Sequence, residues 1–387
     1  MTHVLVTFGT RPEAIKLAPV IKHIQSKPED FRLTVCITSQ HKELLRQVID
    51  FFGITEDVDL DVMVQNQTLE HVTTAVLNGM REVLLEKKPD IVLVQGDTTT
   101  VFASALAAYY QKIAVGHVEA GLRTHNKYSP FPEEINRKLT GGLTDLHFAP
   151  TKLSAENLIQ ENYPKADVYV TGNTVIDAVL LGKSILDARS DAERKDMIAS
   201  AGISPEVYAR IRAGERRLIL VTAHRRESFG EPFRRMCFAM KQLIDRNPDI
   251  EIIYPVHPNP QVRNVVFDVL KDIDRVHLID PVPYEQLVLL MDMSYLLLTD
   301  SGGIQEEGPS LQKPVLVMRE TTERPEGIEA GVSRLVGTDR EKIISTVEEL
   351  LHDEAVYEKM AKSANPYGDG KASVRIADIL QERLPLR

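Results

Sequence analysis

Three observations predict an α/β protein made of two doubly wound, Rossmann-like domains. Short β-rich runs alternate with amphipathic helical stretches from one end of the chain to the other, the pattern of βαβ units and a parallel sheet. The chain has 387 residues, more than one hydrophobic core usually organises. A charged, strand-free stretch near 187–215 interrupts the alternation, which then restarts. The first domain is expected over 1–172 and the second over 173–365.

In the first half, residues 4–8, 33–38, 91–95, 113–118, 146–149 and 168–171 read as buried strands. Between them, 41–52 reads as a helix that stops at Gly53. Residues 69–88 carry Leu69, Val72, Val76, Met80, Val83 and Leu84 at helical spacing, and Pro89 follows. In the second half, 218–222, 250–254, 276–279, 295–299 and 315–318 read as strands. A last helix, about 371–384, follows the loop Asn365-Pro366-Tyr367-Gly368-Asp369-Gly370.

At 43% hydrophobic and 26% charged residues the composition is that of an ordinary soluble globular protein. The formal net charge of −10 argues against a nucleic-acid partner, which would need a basic face. An anionic substrate must then be held by a local basic cluster against the overall field. Cys36 and Cys237 both sit in apolar contexts and read as buried thiols. The start lacks a basic n-region, and the apolar stretch 287–298 is broken by Asp292, so neither a signal peptide nor a membrane span is expected. A reduced, cytoplasmic protein is the expectation.

Open parallel sheets bind ligands beyond the carboxyl ends of their strands. After the first strand come Gly9-Thr10-Arg11-Pro12-Glu13 and, a turn later, Lys16. Gly9 allows close backbone approach, and the helix start attracts an anion, although an ordinary βα turn would look the same. Asp97 and Glu119 end two consecutive strands; on neighbouring strands they would share a crevice. Asp97 also suits the cap of the following helix. A long loop leads to Glu133 and Glu134, either of which supplies a third carboxylate or an acidic first helical turn.

In the second half, one strand leads to His224, Arg225 and Arg226, suited to phosphate binding and proton transfer, and another leads to His257. The sharpest signal is Asp300-Ser301-Gly302-Gly303-Ile304-Gln305-Glu306-Glu307, whose glycines bare backbone N–H groups at a helix start. Glu307 would then face ribose hydroxyls, and Arg324 adds a cation in an acidic loop. No G-x-G-x-x-G follows the first strand, Gly368-Asp369-Gly370-Lys371 fails the P-loop pattern, and no histidine pair has metal-ligand spacing. No cofactor and no metal are expected.

Taken together, Phe8-Gly9-Thr10-Arg11-Pro12-Glu13-Ala14, Gly96-Asp97-Thr98-Thr99-Thr100, Gly116-His117-Val118-Glu119-Ala120-Gly121-Leu122-Arg123-Thr124, His224-Arg225-Arg226-Glu227-Ser228, the Asp300 to Glu307 run and Thr322-Glu323-Arg324-Pro325-Glu326 resemble the non-hydrolysing UDP-N-acetylglucosamine 2-epimerases over nearly the whole chain. The resemblance implies two domains facing a cleft, similar to the glycosyltransferase-B fold, with the C-terminal helix, about 366–387, packed back on the first domain. It implies a homodimer that interconverts UDP-N-acetylglucosamine and UDP-N-acetylmannosamine for cell-surface polysaccharide synthesis, through elimination and re-addition of UDP. Asp97, Glu119 and Glu133 match the family's acid–base carboxylates, and His224 its active-site histidine. Arg11, Lys16, Arg225, Ser301, Gly302, Gly303, Glu307 and Arg324 match substrate-binding positions. A 2-epimerase of a UDP-diacetamido uronic acid and a UDP-sugar glycosyltransferase are the alternatives.

Bacterial members of that family carry a second UDP-N-acetylglucosamine site that activates them. Gln40, His41, Arg225 and His257 match positions that form it. Glu43 stands where many members have Gln, and Asn66 where they have Arg. Both changes make the pocket less positive toward a diphosphate, so weaker activation is expected, unless Lys42 or Arg81 compensates.

Overall fold

The computed structural model describes residues 1–40 and 42–384. The chain divides into two compact units, Met1–Ala178 with Tyr367–Arg387, and Val179–Pro366. In the first unit the elements run β1 (Thr2–Phe8), α1 (Arg11–Gln25), β2 (Phe31–Ile37), α2 (Lys42–Phe52), β3 (Val58–Asp59), α3 (Leu69–Lys87), β4 (Ile91–Gln95), α4 (Thr99–Tyr110), β5 (Ala114–Val118), α5 (Glu133–Gly141), β6 (Leu146–Ala149), α6 (Lys152–Gln160) and β7 (Val168–Val170). α7 (Thr174–Asp187) leads into the second unit. There follow α8 (Asp191–Ser200), α9 (Pro205–Arg212), β8 (Arg217–Thr222), α10 (Glu231–Arg246), β9 (Ile250–Pro255), α11 (Pro260–Leu270), β10 (Val276–Ile279), α12 (Tyr284–Met293), β11 (Leu296–Thr299), α13 (Gly302–Glu307), β12 (Val315–Val317), α14 (Pro325–Glu329), β13 (Ser333–Leu335), α15 (Arg340–His352) and α16 (Glu354–Ala361). The final α17 (Ala372–Arg383) belongs to the first unit.

Both sheets are parallel, with strand orders β3-β2-β1-β4-β5-β6-β7 and β10-β9-β8-β11-β12-β13. The order reverses between β1 and β4 in one sheet and between β8 and β11 in the other. Those two switch points are where an open α/β sheet leaves a crevice at its carboxyl edge. Every residue of β4 is buried, as expected for a strand covered by helices on both faces. α10 shows the helical counterpart. Phe233, Met236, Cys237, Met240, Leu243 and Ile244 recur at three- and four-residue spacing and bury one stripe in a core shared with Ile219, Val221 and Ile252. Each such side chain contributes about 1.5–3 kcal/mol on burial.

The sequence-predicted strands all form, within two residues at each end. The two edge strands β3 and β13 are additional, and the charged stretch folds as α8 and α9. α17 packs against α1. Its first turn is tied down by buried Asp177, which accepts the N–H groups of Ala372 (3.2 Å) and Ser373 (2.8 Å) and the Ser373 hydroxyl (2.5 Å). Cys36 and Cys237 are buried and unbonded to each other, and burial pushes each thiol up to about 12. Among the described residues no helix is long and apolar enough to cross a membrane.

Candidate active site

Beside the switch point of the first sheet, β4 and β5 are neighbours, so Asp97 and Glu119 stand at adjacent strand ends. Asp97 does not cap α4; Thr98 does, accepting the N–H of Val101 at 3.4 Å. Asp97 instead accepts both Nε (3.0 Å) and Nη2 (2.6 Å) of Arg137, and its carbonyl accepts from Asn136 at 2.9 Å. The turn before it is fixed from below. His117 is buried, its Nε2 lies 2.7 Å from the Gly96 carbonyl, and burial drives its pKa down to about 4, so the ring is neutral and donates from Nε2. Glu119 has a left-handed backbone (φ 65°) and is ion-paired with Lys16. Lys16, expected at the UDP, thus also holds a carboxylate.

Of the two acids at the start of α5, Glu134 is the structural one. It is buried and accepts the N–H groups of Thr124 and His125, each at 3.0 Å, and Arg137 at 3.2 Å. Burial works against its charge, but these donors outweigh it and hold the carboxyl below its usual range. Glu133 keeps a buried Oε2 without a hydrogen-bond partner.

The β1 turn departs from expectation. The N–H groups of Gly9 (2.7 Å) and Thr10 (2.9 Å) are taken by the protein's own Glu13, a buried carboxylate that also accepts the Thr98 hydroxyl. Burial raises its pKa. A Cβ at Gly9 would lie 2.0 Å from Oγ1 of Thr38. Gly9 therefore serves packing, and this helix start is occupied by the protein's own Glu13 carboxyl group. Arg11 opens α1, half-buried. The Thr10-x-x-Glu13 spacing is the capping-box pattern, the signal by which sequence reading could have found it.

In the second unit, Asp300 ties β11 to the turn after β8: its Oδ2 accepts the N–H groups of His224 (2.6 Å) and Arg225 (2.7 Å). A Cβ at Gly302 would lie 3.7 Å from Nη2 of Arg324 and 3.9 Å from Nη2 of Arg225, so two guanidinium groups converge where Ser301, Gly302 and Gly303 open α13. Arg324 is anchored by buried Glu306, and its N–H donates to Thr322 at 3.1 Å. Glu307 accepts from Tyr284 at 2.8 Å, both residues being buried. His224 and His257 stack, with centroids 5.2 Å apart and planes at 11°.

Of the positions assigned to a second ligand, Gln40 accepts the Thr100 hydroxyl at 3.0 Å, while Glu43 and Asn66 are exposed. His41 lies outside the described residues. Lys42 is paired with Asp61 at 2.9 Å and Arg81 with Glu82. Sequence reading missed the roles of Glu13, Arg137 and Asp300; those of Arg137 and Asp300 depend on partners distant in the chain.

These features define a class first: an α/β enzyme of two doubly wound units, one carrying strand-end carboxylates and the other a guanidinium-flanked glycine turn. Residues 22–381 match the family model described as UDP-N-acetylglucosamine 2-epimerase. The UDP-N-acetylglucosamine 2-epimerases of Escherichia coli K12 and Campylobacter jejuni are each 50% identical to the chain, over 98% of both chains for the first and 97% of both for the second. The crystal structure of UDP-GlcNAc 2-epimerase from Neisseria meningitidis bound to UDP-GlcNAc is 48% identical and superposes with a TM-score of 0.84 over 98% of this chain and 100% of that one. The chain belongs to the UDP-N-acetylglucosamine 2-epimerase family.

Proposed function

We propose that this protein reversibly converts UDP-N-acetylglucosamine to UDP-N-acetylmannosamine by eliminating UDP and adding it back. The first unit carries three of the proposed proton-handling groups, and the second carries His224 and most of the groups proposed to hold UDP. A carboxylate takes the proton from carbon 2, and the C2–H electron pair becomes the C1=C2 bond of 2-acetamidoglucal. The C1–O bond breaks, and its pair leaves with UDP. In the return step a diphosphate oxygen attacks C1 and a proton is delivered to the opposite face of carbon 2. Working on two faces requires more than one proton-handling group. Asp97, Glu119, Glu133 and His224 are the groups proposed for that work.

The observation that carries this reading is the first unit's carboxylate set: three acids in three settings, paired with Arg137, paired with Lys16, and unpartnered at one oxygen. A reaction that takes a proton from one face of carbon 2 and returns one to the other calls for such a set of separately held carboxylates. Arg225 and Arg324 would neutralise the charge that develops on departing UDP, with Ser301, Gly302 and Gly303 supplying backbone N–H groups and Glu307 the ribose contact. Arg11 and Lys16 complete the substrate-binding set. Retaining UDP beside the glucal spares the return step a bimolecular encounter. A homodimer belongs to the same reading; Leu85, Tyr109 and Tyr110 are exposed on α3 and α4 and would be available to a second copy. The direct test is NMR of the products from UDP-N-acetylglucosamine. A mixture of the two intact UDP-sugars is expected; free N-acetylmannosamine with UDP would contradict the re-addition step.

A further inference from the structure

Asp300 is fully buried, and its two oxygens do different things. Oδ2 accepts the N–H groups of His224 (2.6 Å) and Arg225 (2.7 Å) and so shapes the turn after β8. Oδ1 is buried without a hydrogen-bond partner and lies 3.6 Å from Nδ1 of His224. A buried carboxylate oxygen left without a donor is costly, and an ionised carboxylate can only accept. We infer that Asp300 is a positioning residue whose Oδ1 recruits the Nδ1–H of His224, so that the neutral ring carries its proton at Nδ1 and offers Nε2 as the acceptor.

The inference rests on the reading of His224 as an active-site residue and deepens it. A neutral imidazole has one N–H, and the hydrogen bond made by one ring nitrogen decides which atom carries it. At 3.6 Å the contact is longer than a hydrogen bond, and such contacts commonly tighten when substrate binds. Three groups face the ring: Asp300 from the β11 turn, His257 stacked on it from the turn after β9, and Arg225 from its own turn. Burial favours neutral His224, and Asp300 opposes that effect. His257 has the other tautomer, since its Nδ1 accepts the N–H of Asn259 at 3.1 Å. It therefore competes neither for Oδ1 nor for the proton on His224.

The test is the ¹⁵N spectrum of histidine-labelled protein, with His224 assigned by the signal that His224→Gln removes. In the wild-type protein, neutral His224 is expected to be protonated at Nδ1. In Asp300→Asn the amide oxygen can still accept the two backbone N–H groups, while the amide nitrogen donates to Nδ1. The proton then moves to Nε2, and kcat falls roughly 100-fold or more with KM and melting temperature nearly unchanged, as expected for a wrong tautomer. A wild-type His224 protonated at Nε2 overturns the inference, and that spectrum decides even if the variant does not fold. So does an Asp300→Asn protein with the shifted proton and undiminished kcat. Full activity in His224→Gln would instead remove the reading of His224 as an active-site residue, whatever its tautomer.

Discussion

Glu119 illustrates how the site is built at the scale of single residues. Its left-handed backbone (φ 65°) is one that a non-glycine residue adopts at a cost of about 1–2 kcal/mol. Strain of that kind persists where the surroundings fix it, and it gathers at functional sites. Here the pairing with Lys16 and the position at the end of β5 fix the carboxylate. Glu119→Gln keeps the shape and removes the charge, so kcat is expected to fall roughly 100-fold or more, with UDP affinity and melting temperature little changed. A loss of stability matching the loss of activity would instead mark Glu119 as structural. The candidate carboxylates were legible in the sequence because a parallel sheet delivers strand-end residues to one edge, whichever strands turn out to be neighbours. Their partners were not. Arg137 lies 40 residues beyond Asp97, and Asp300 lies 76 beyond His224. Gly9 read as room for an anion, although the Thr10-x-x-Glu13 spacing already offered Glu13 for that place.

At the scale of elements, the long buried strands announced themselves as apolar runs. β3 and β13 have two and three residues, too few for any periodicity to register, and they exist because their neighbours offer an open edge. β9 contains a feature the apolar pattern hides. Glu251, fully buried in it, accepts from Arg210 of α9 at 2.9 Å and lies 2.6 Å from Nε2 of His277 on β10. Burial pushes its carboxyl up, but His277 and Arg210 outweigh that and hold it below the usual range. A carboxyl whose folded pKa is depressed contributes stability above its unfolded pKa, about 4.3, and loses it as the pH falls through the folded value. Glu251→Gln should therefore cost roughly 2 kcal/mol at neutral pH, less than a fully buried pair because Arg210 is over a third exposed. Calorimetry of both proteins should show the gap in melting temperature closing as the pH drops below about 4. A gap independent of pH would mean that charge plays no part.

On the scale of the whole molecule, a chain of net charge −10 would have to hold the proposed diphosphate against its own field, and two guanidinium groups converge where α13 begins. The same logic bears on the proposal that a second UDP-N-acetylglucosamine activates the protein. Glu43 and Asn66 are exposed and offer no positive charge, while Lys42 is paired with Asp61 and Arg81 with Glu82. A missing charge-assisted bond from Arg typically costs about 1.5–3 kcal/mol. The reverse reaction, started from pure UDP-N-acetylmannosamine, should accordingly show little lag, and Asn66→Arg with Glu43→Gln should strengthen activation. Strong dependence of the unmutated enzyme on added UDP-N-acetylglucosamine would show that these positions do not matter. The central claim is that the bond from carbon 2 to hydrogen breaks and re-forms through an enzyme group in exchange with solvent. The measurement that meets it most directly is turnover of UDP-N-acetylglucosamine in heavy water, by protein dialysed against chelator and without added NAD. The UDP-N-acetylmannosamine formed should carry deuterium at carbon 2; product with unlabelled carbon 2, or no product until NAD is supplied, would contradict it.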